Sequence, residues 1–550
     1  MVKRLRIKEF IIKNQTDIIL LILLLCIGIK YMHNVELFLD IHLKDETLYL
    51  NNGVHLLRLG LPNSQWAPFY SIWYYFLSLI QADTINIYFL NLKVLTIALP
   101  IILCILLRIR GVSRPITYSI GFFSLVSSGN ILVNPKVSHF AILVIIGSLI
   151  SFSVIKKESI RWYIIILGAL LASYVRPELF LAFILLSILV LYKIIKTHTL
   201  LKDIKVISFF VLSIIIIIMT LGIPLADGGR SLGAFSQHFS LNWVRWNHSK
   251  LNPWTDAHEI VNKNFGNINS LYEAIFSKPE LFFKHILSNT SILYQEFQNL
   301  INYTVFTRDS YRFENTGFSI LIFIIILSTI VNFYRSKKSI LGTAKSNFYK
   351  NRYLFIISLI YIIPVIASAL IIYPRQHYLL MLFFLLVIII IPLTSVPIKK
   401  IKRNEILYTI LIFVFGIPLF YLTPSCKKIY TFSTNQNNLE TIKYLRSLNI
   451  NSEVNLLEEN GGYNAYLGPN YSYIQEGTKT INFNDYLLKY NINMIVYSGI
   501  LESNRKFKSD STWNYFLNNY EKFGFMREVI PNSGNELFLK KDLKTKKLDK

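Results

Sequence analysis

The chain has 550 residues, 53% of them hydrophobic and only 16% charged, with a formal net charge of +25. A soluble protein of this size carries about a quarter of its residues as Asp, Glu, Lys and Arg, so a soluble globular class is excluded and a polytopic α-helical membrane protein is indicated. The cations gather at the ends of apolar runs rather than along one polar face, which sets aside a nucleic-acid partner and points to membrane lipids.

In chain order, Lys3, Arg4, Arg6 and Lys8 precede an apolar run over 16–33. Cations recur at Arg108, Arg110 and Arg114, at Lys156, Lys157 and Arg161, and at Lys193, Lys196, Lys202 and Lys205. They return at Arg335, Lys337 and Lys338, and at Lys399, Lys400, Lys402 and Arg403, while the short loops between are cation-poor. That alternation is the positive-inside pattern and places the N-terminus in the cytoplasm. Spans are expected over about 16–33, 86–107, 115–133, 137–155, 160–175, 178–195, 206–225, 316–334, 353–372, 378–397 and 406–423. These make about 11 transmembrane helices across a hydrocarbon layer of ~30 Å. The multi-pass chain would sit in the cytoplasmic membrane with its C-terminus extracytoplasmic. The first run lacks a small-x-small cleavage site and is expected to stay as an anchor. The Trp- and Tyr-rich stretch 68–82 has to remain outside for the charges to alternate, so it is expected as an interfacial helix.

Two domains follow: a transmembrane domain over 1–425 with outer loops 34–85 and 226–315, and a small extracytoplasmic α/β domain over 427–550. In the tail, "NLETIKYLRSLNI" has helical periodicity and "NMIVYS" reads as a buried strand. "STWNYFLNNYEKFGF" is amphipathic and "ELFLKK" ends as a strand. Loop 226–315 carries amphipathic stretches and is expected on the membrane surface. Cys26, Cys104 and Cys426 form no disulfide framework or metal spacing. There is no Walker loop and no GxGxxG.

An outer-face active site has no ATP or nucleotide sugar, so its donor has to come through the membrane, typically as a lipid phosphate. Such a site needs a carboxylate base, cations for the phosphate and an apolar wall. In "KDETLYLNNGVHLLRLGLP" the residues Leu48, Leu56, Leu57 and Leu59 suggest a surface helix with Asp45 and Glu46 in its first turn. Acids there also suit the helix macrodipole, which is the plain structural reading of the pair.

The order of residues in this first loop resembles the GT-C superfamily of integral-membrane glycosyltransferases. Closest are the protein O-mannosyltransferases and the aminoarabinose transferases that modify lipid A. The resemblance rests on Asp45-Glu46, Tyr49, Gly60-Leu61-Pro62 and "WAPFYSIWYY", with echoes in "LVNPKVSHFAIL" and "GAFSQHFSLNW". Where the family usually has Pro-Pro-Leu this chain has Ala67-Pro68-Phe69, and Asn134 stands where the family often has the Asp of Asp-Pro. The motifs cover about residues 1–240. The resemblance implies a GT-C-like fold and a polyprenyl-phosphate-linked sugar donor. It also implies a first-loop acid acting on the nucleophile of a glycan, lipid or protein acceptor.

On that basis Asp45 is expected as general base, Glu46 as the residue that orients the acceptor, and Asp40 as the reserve base. Arg375, with His377 and Tyr378 in "YPRQHYLL", is expected to bind the donor phosphate, since an outer arginine departs from the positive-inside bias. Arg176 and Glu178 in "SYVRPELF" form either an interfacial ion pair or a second phosphate contact. Lys136 either meets the phosphate or snorkels. Tyr49, Trp66, Tyr70, His139, Arg230 and His238 are expected near the substrate. No metal and no cofactor are expected, although adjacent Asp45 and Glu46 could recruit a divalent ion. Two rival classes are a surface-polysaccharide polymerase or ligase and a transporter or flippase. Spans nearly free of acids and the absence of an internal repeat weigh against transport.

Overall fold

A computed structural model describes residues 2–127, 129–131, 134–197, 204–225, 229–303, 340–394, 418, 420–421, 423–430, 435–475 and 479–545. The first part runs α1 (Val2–Met32), α2 (Asp45–Val54), α3 (Leu56–Leu59), α4 (Pro68–Ser78), α5 (Thr84–Ile109), α6 (Arg114–Val126) and α7 (Val137–Val154). It continues with α8 (Glu158–Ser173), α9 (Phe180–Thr197) and α10 (Ile204–Leu221). A bundle follows of α11 (Gly229–Asn247), α12 (Ala257–Phe265), α13 (Leu271–Ser277) and α14 (Pro279–Asn302), then helices Ile340–Ile371 and Gln376–Thr394.

Among the described residues, six helical stretches are long and apolar enough to cross a bilayer: Asn14–Leu37, Thr84–Ile109, Val137–Val154, Pro177–Lys196, Lys345–Ile371 and Gln376–Leu393. Each coincides with an expected span. At 115–133 and 160–175 the helices are α6 and α8, of 13 and 16 residues, which reach about 20 and 24 Å at 1.5 Å per residue. Past Val126 the chain leaves the helix as Ser127 turns extended, and the Asn130 amide donates to the Thr96 carbonyl of α5 at 2.9 Å. The apolar part of α10, Lys205–Leu221, is also short. The spans expected at 316–334 and over nearly all of 406–423 lie outside the described residues.

The stretch expected at the interface is α4, a helix of 11 residues opened by Pro68. Proline at the first helical position loses no hydrogen bond and pre-sets φ. The α4 helix packs on α2 at Gly53, where an added Cβ would lie 2.4 Å from Tyr74 Cβ and 2.5 Å from the Ser71 carbonyl oxygen. The leucines that suggested the surface helix lie mostly on its open side: Leu48, Leu57 and Leu59 are exposed. The helix buries Glu46, Thr47, Tyr49, Leu50 and Gly53 instead.

The C-terminal domain is a five-stranded sheet of β1 (Val454–Glu458), β2 (Tyr471–Gln475), β3 (Met494–Tyr497), β4 (Phe525–Val529) and β5 (Glu536–Lys540), in the order β2-β1-β3-β5-β4. Strands β1, β2 and β3 are parallel, and β5 runs antiparallel to both β3 and β4. Alternation along the strands gives the two faces different tasks. Leu457, Ile495 and Phe538 enter a core with Phe483, Phe507, Trp513 and Phe516. Leu456, Met494, Val496, Leu537 and Leu539 face the other way, onto Leu439, Ile442 and Leu445 of helix Asn437–Ser447. That second face is continuous with the apolar core of the transmembrane helices.

Candidate active site

The first loop folds so that Glu46 is buried and Asp45 is exposed. Positions 46, 49, 50 and 53 share one face of α2 because residues three and four apart lie above one another. Tyr70 and Tyr74, four apart on α4, share the facing side. The Glu46 carboxylate accepts hydrogen bonds from the Tyr70 hydroxyl at 2.7 Å and from the Tyr74 hydroxyl. Asn91, buried in the first half of α5, donates to Tyr70 at 2.6 Å, to Tyr74 at 2.7 Å and to Glu46 at 3.4 Å. Its own carbonyl accepts from the Trp73 indole at 2.8 Å. Burial pushes the Glu46 carboxyl up to about 7, against the pull of the two tyrosines and of Lys136.

Behind this network the rings of Phe69, Tyr70 and Trp73 pack on Phe140 of α7 at centroid distances of 5.3–5.6 Å. Phe140 is the aromatic of "NPKVSHF", so that segment supplies the wall. Tyr49 also meets Tyr70, edge to face at 5.5 Å. Its hydroxyl accepts from Arg230 at 2.7 Å, and burial pushes it up to about 12. Arg230 also donates to the Gln65 carbonyl and lies 4.3 Å over the Trp66 ring. The start of α11 is thereby clamped to the first loop.

The expected phosphate ligands fall into two contacts, with His377 in electrostatic range of both. Arg375 donates to His238 Nε2 at 2.8 Å, and His238 Nδ1 donates to the Ala234 carbonyl at 2.7 Å. Burial, with Arg375 adding to it, holds His238 down to about 4, so the ring is neutral at pH 7 and its lone pair faces the guanidinium. The imidazole stacks on Tyr373 at 5.3 Å. Arg176 pairs with Glu178 at 2.5 Å and lies 4.1 Å over the Tyr378 ring. Lys136, at the start of α7, feels the charges of Glu46, Asp45 and Arg375, and burial holds it below the usual lysine range. His377 lies within electrostatic range of Lys136, Arg176, Arg375 and His139. His139 is buried beside Lys136.

Asp40 is placed elsewhere. Its carboxylate accepts the backbone N–H groups of Asn438 at 3.0 Å and Leu439 at 2.8 Å, capping helix Asn437–Ser447 of the tail domain. The residues that sequence reasoning passed over are Tyr74, Asn91, Gln65, Tyr373, Trp254, whose ring meets His238 edge to face at 5.7 Å, and Tyr466 of the tail, which meets Thr47 of α2. Tyr74 stood four residues after Tyr70, and Asn91 was a lone amide in an apolar span. Among the described residues, no group of three His, Cys, Asp or Glu side chains could hold a metal ion.

No family model and no curated protein matches the sequence. One solved structure with a similar course is that of the archaeal oligosaccharyltransferase AglB from Archaeoglobus fulgidus, in complex with an inhibitory peptide and a dolichol-phosphate. It is 9% identical, with 96% of this chain and 74% of that chain covered, at a TM-score of 0.38.

Proposed function

We propose that the chain is an inverting glycosyltransferase of the GT-C type. It moves a sugar from a polyprenyl-phosphate donor to an acceptor hydroxyl or amine at the outer face of the membrane. The observation that carries this reading is two unlike carboxyls within electrostatic range of Lys136: Glu46 buried on two tyrosines, and Asp45 exposed beside it. Asp45 takes the acceptor's proton as the acceptor oxygen or nitrogen bonds to the anomeric carbon. The bond from that carbon to the phosphate oxygen breaks in the same step, and the electron pair leaves with the lipid phosphate. A single displacement inverts the carbon. Glu46 fixes the slope of α2 and offers its second oxygen to the acceptor, while Lys136, Arg375 and Arg176 meet the phosphate's developing charge.

The direct test is transfer from a labelled polyprenyl-phosphate sugar by membranes carrying the protein. Asp45→Asn keeps the shape of the side chain but cannot accept a proton at neutral pH, so transfer falls by about 10²–10⁴-fold. If the site is instead only a helix start, the same change costs about 0.3–1 kcal/mol of stability and leaves turnover near normal. Arg375→Ala removes a charge-assisted contact of about 1.5–3 kcal/mol, so undecaprenyl phosphate binds about tenfold or more weakly. Unchanged affinity in the folded variant takes Arg375 out of the donor site.

A further inference from the structure

The tail domain touches the acid helix through Tyr466, whose hydroxyl lies 3.4 Å from that of Thr47, and through the turn just before it. At the end of β1 the fully buried Glu458 carboxylate accepts the backbone N–H groups of Gly461 and Gly462, both at 2.6 Å, and of Tyr463 at 3.3 Å. The turn runs through Gly461 at φ +81° and Gly462 at φ +126°, values that an L side chain rarely adopts. It presses directly on the start of α2. The Gly461 carbonyl accepts the Lys44 N–H at 2.7 Å, and a Cβ on Gly462 would lie 2.5 Å from Thr47 Cγ2.

Lys44 is the residue before Asp45, and its backbone stands at φ 73°, ψ −128°. A non-glycine residue persists in such a conformation only where its surroundings hold it. Here the hold comes from another domain. A second set of bonds fixes the approach: Asp40 caps helix Asn437–Ser447, the Asn438 amide donates to the Ile41 carbonyl, and the Gln436 amide donates to the carbonyls of Glu36 and Leu39. Segment 36–47 is therefore gripped by the tail at both ends, and the first turn of α2 lies within the grip.

We propose that the C-terminal α/β domain positions the reacting acids, with Glu458, Gly461 and Gly462 as positioning residues acting through Lys44 and Thr47. This rests on the reading of Asp45 and Glu46 as the reacting pair. The test is hydrogen exchange on the full-length protein in lipid nanodiscs, comparing wild type with Glu458→Gln and Gly462→Ala. The amides of residues 44–50 exchange about tenfold faster in each variant, while β3 and β5 keep their protection. Transfer turnover falls and the Kd for undecaprenyl phosphate stays the same. Adding Lys44→Gly to Gly462→Ala restores part of the protection, because glycine adopts φ 73° without help.

Should Glu458→Gln unfold the tail, Gly462→Ala leaves the carboxylate in place and carries the same test. Wild-type exchange over 44–50 in a variant with β3 and β5 protected overturns the proposal. Faster exchange over 44–50 in a protein that transfers no sugar even as wild type upholds the positioning and removes the glycosyltransferase reading instead.

Discussion

Two adjacent carboxyls, Asp45 and Glu46, are chemically unlike because successive helix positions point about 100° apart, one to the open side and one to α4. Glu46 faces two tyrosines and an amide, and its carboxyl moves from an ordinary 4.5 up to about 7. Between those values the folded chain holds a proton that the unfolded chain has lost, so stability falls as pH rises through that window. The contribution is full below about 4.5, gone above about 7, and on the order of 3 kcal/mol for a shift of this size. Thermal unfolding of the detergent-solubilised protein from pH 4.5 to 8 reads the slope, and Glu46→Gln flattens it. An equal slope in the variant assigns the pH dependence to other groups. The acid pair was legible from "DETLY" alone, but which acid is buried was not, because that is set by where α4 lies. The spacing 46, 49, 50 and 53 held that information. The leucines at 48, 57 and 59 pointed to the opposite face, and their exposure reflects a chain whose apolar surface need not be interior.

At the scale of elements, the site exists because α2 and α4 approach closely enough for Glu46 to reach Tyr70 and Tyr74. Gly53 permits this, seven residues along the same face as Glu46. In an exposed helix Gly→Ala adds about 0.5–1 kcal/mol of stability. Here the new methyl meets Tyr74 Cβ and the Ser71 carbonyl oxygen at 2.4 and 2.5 Å, so Gly53→Ala costs about 1–3 kcal/mol through overpacking. A lower melting temperature, with a weakened pH slope from Glu46, is the expected outcome; a rise in melting temperature would show that the helices separate without cost. The long spans and the helix of the 68–82 stretch were readable because length and apolar content suffice to find them. Strands β1, β2 and β4 were not. In "VNLLE" a buried glutamate ends the apolar run, and three N–H groups of the following turn bond its carboxylate. In "YSYIQ" and "FMREV" most positions are only partly buried.

Taken whole, the described charges divide between two faces. On one, Asp17 of α1 accepts from Arg108 at 2.8 Å and pairs with Arg114 at 3.2 Å, Arg110 reaches Ser153 at 3.5 Å, and Lys193 pairs with Glu158. On the other lie the acid pair, Lys136, Arg176, Arg375 and the tail domain, which is tied to the start of α5 by Arg446 on Asp83 at 2.5 Å. Another tie, Arg505 on Asp256 at 3.2 Å, joins the tail to the α11–α14 bundle. From the positive-inside bias of the sequence we propose that the first face is cytoplasmic and that the second, with its α/β domain, is outside. Leu488, 78% exposed on the tail domain, and Lys156, exposed between α7 and α8, report the two sides. In a Cys26→Ser background, Leu488→Cys reacts with a membrane-impermeant maleimide on intact cells. Lys156→Cys reacts only once the membrane is opened. The reverse pattern would invert the protein and place the acids in the cytoplasm, where nucleotide sugars are at hand. A lipid-borne donor would then no longer follow from the location of the site.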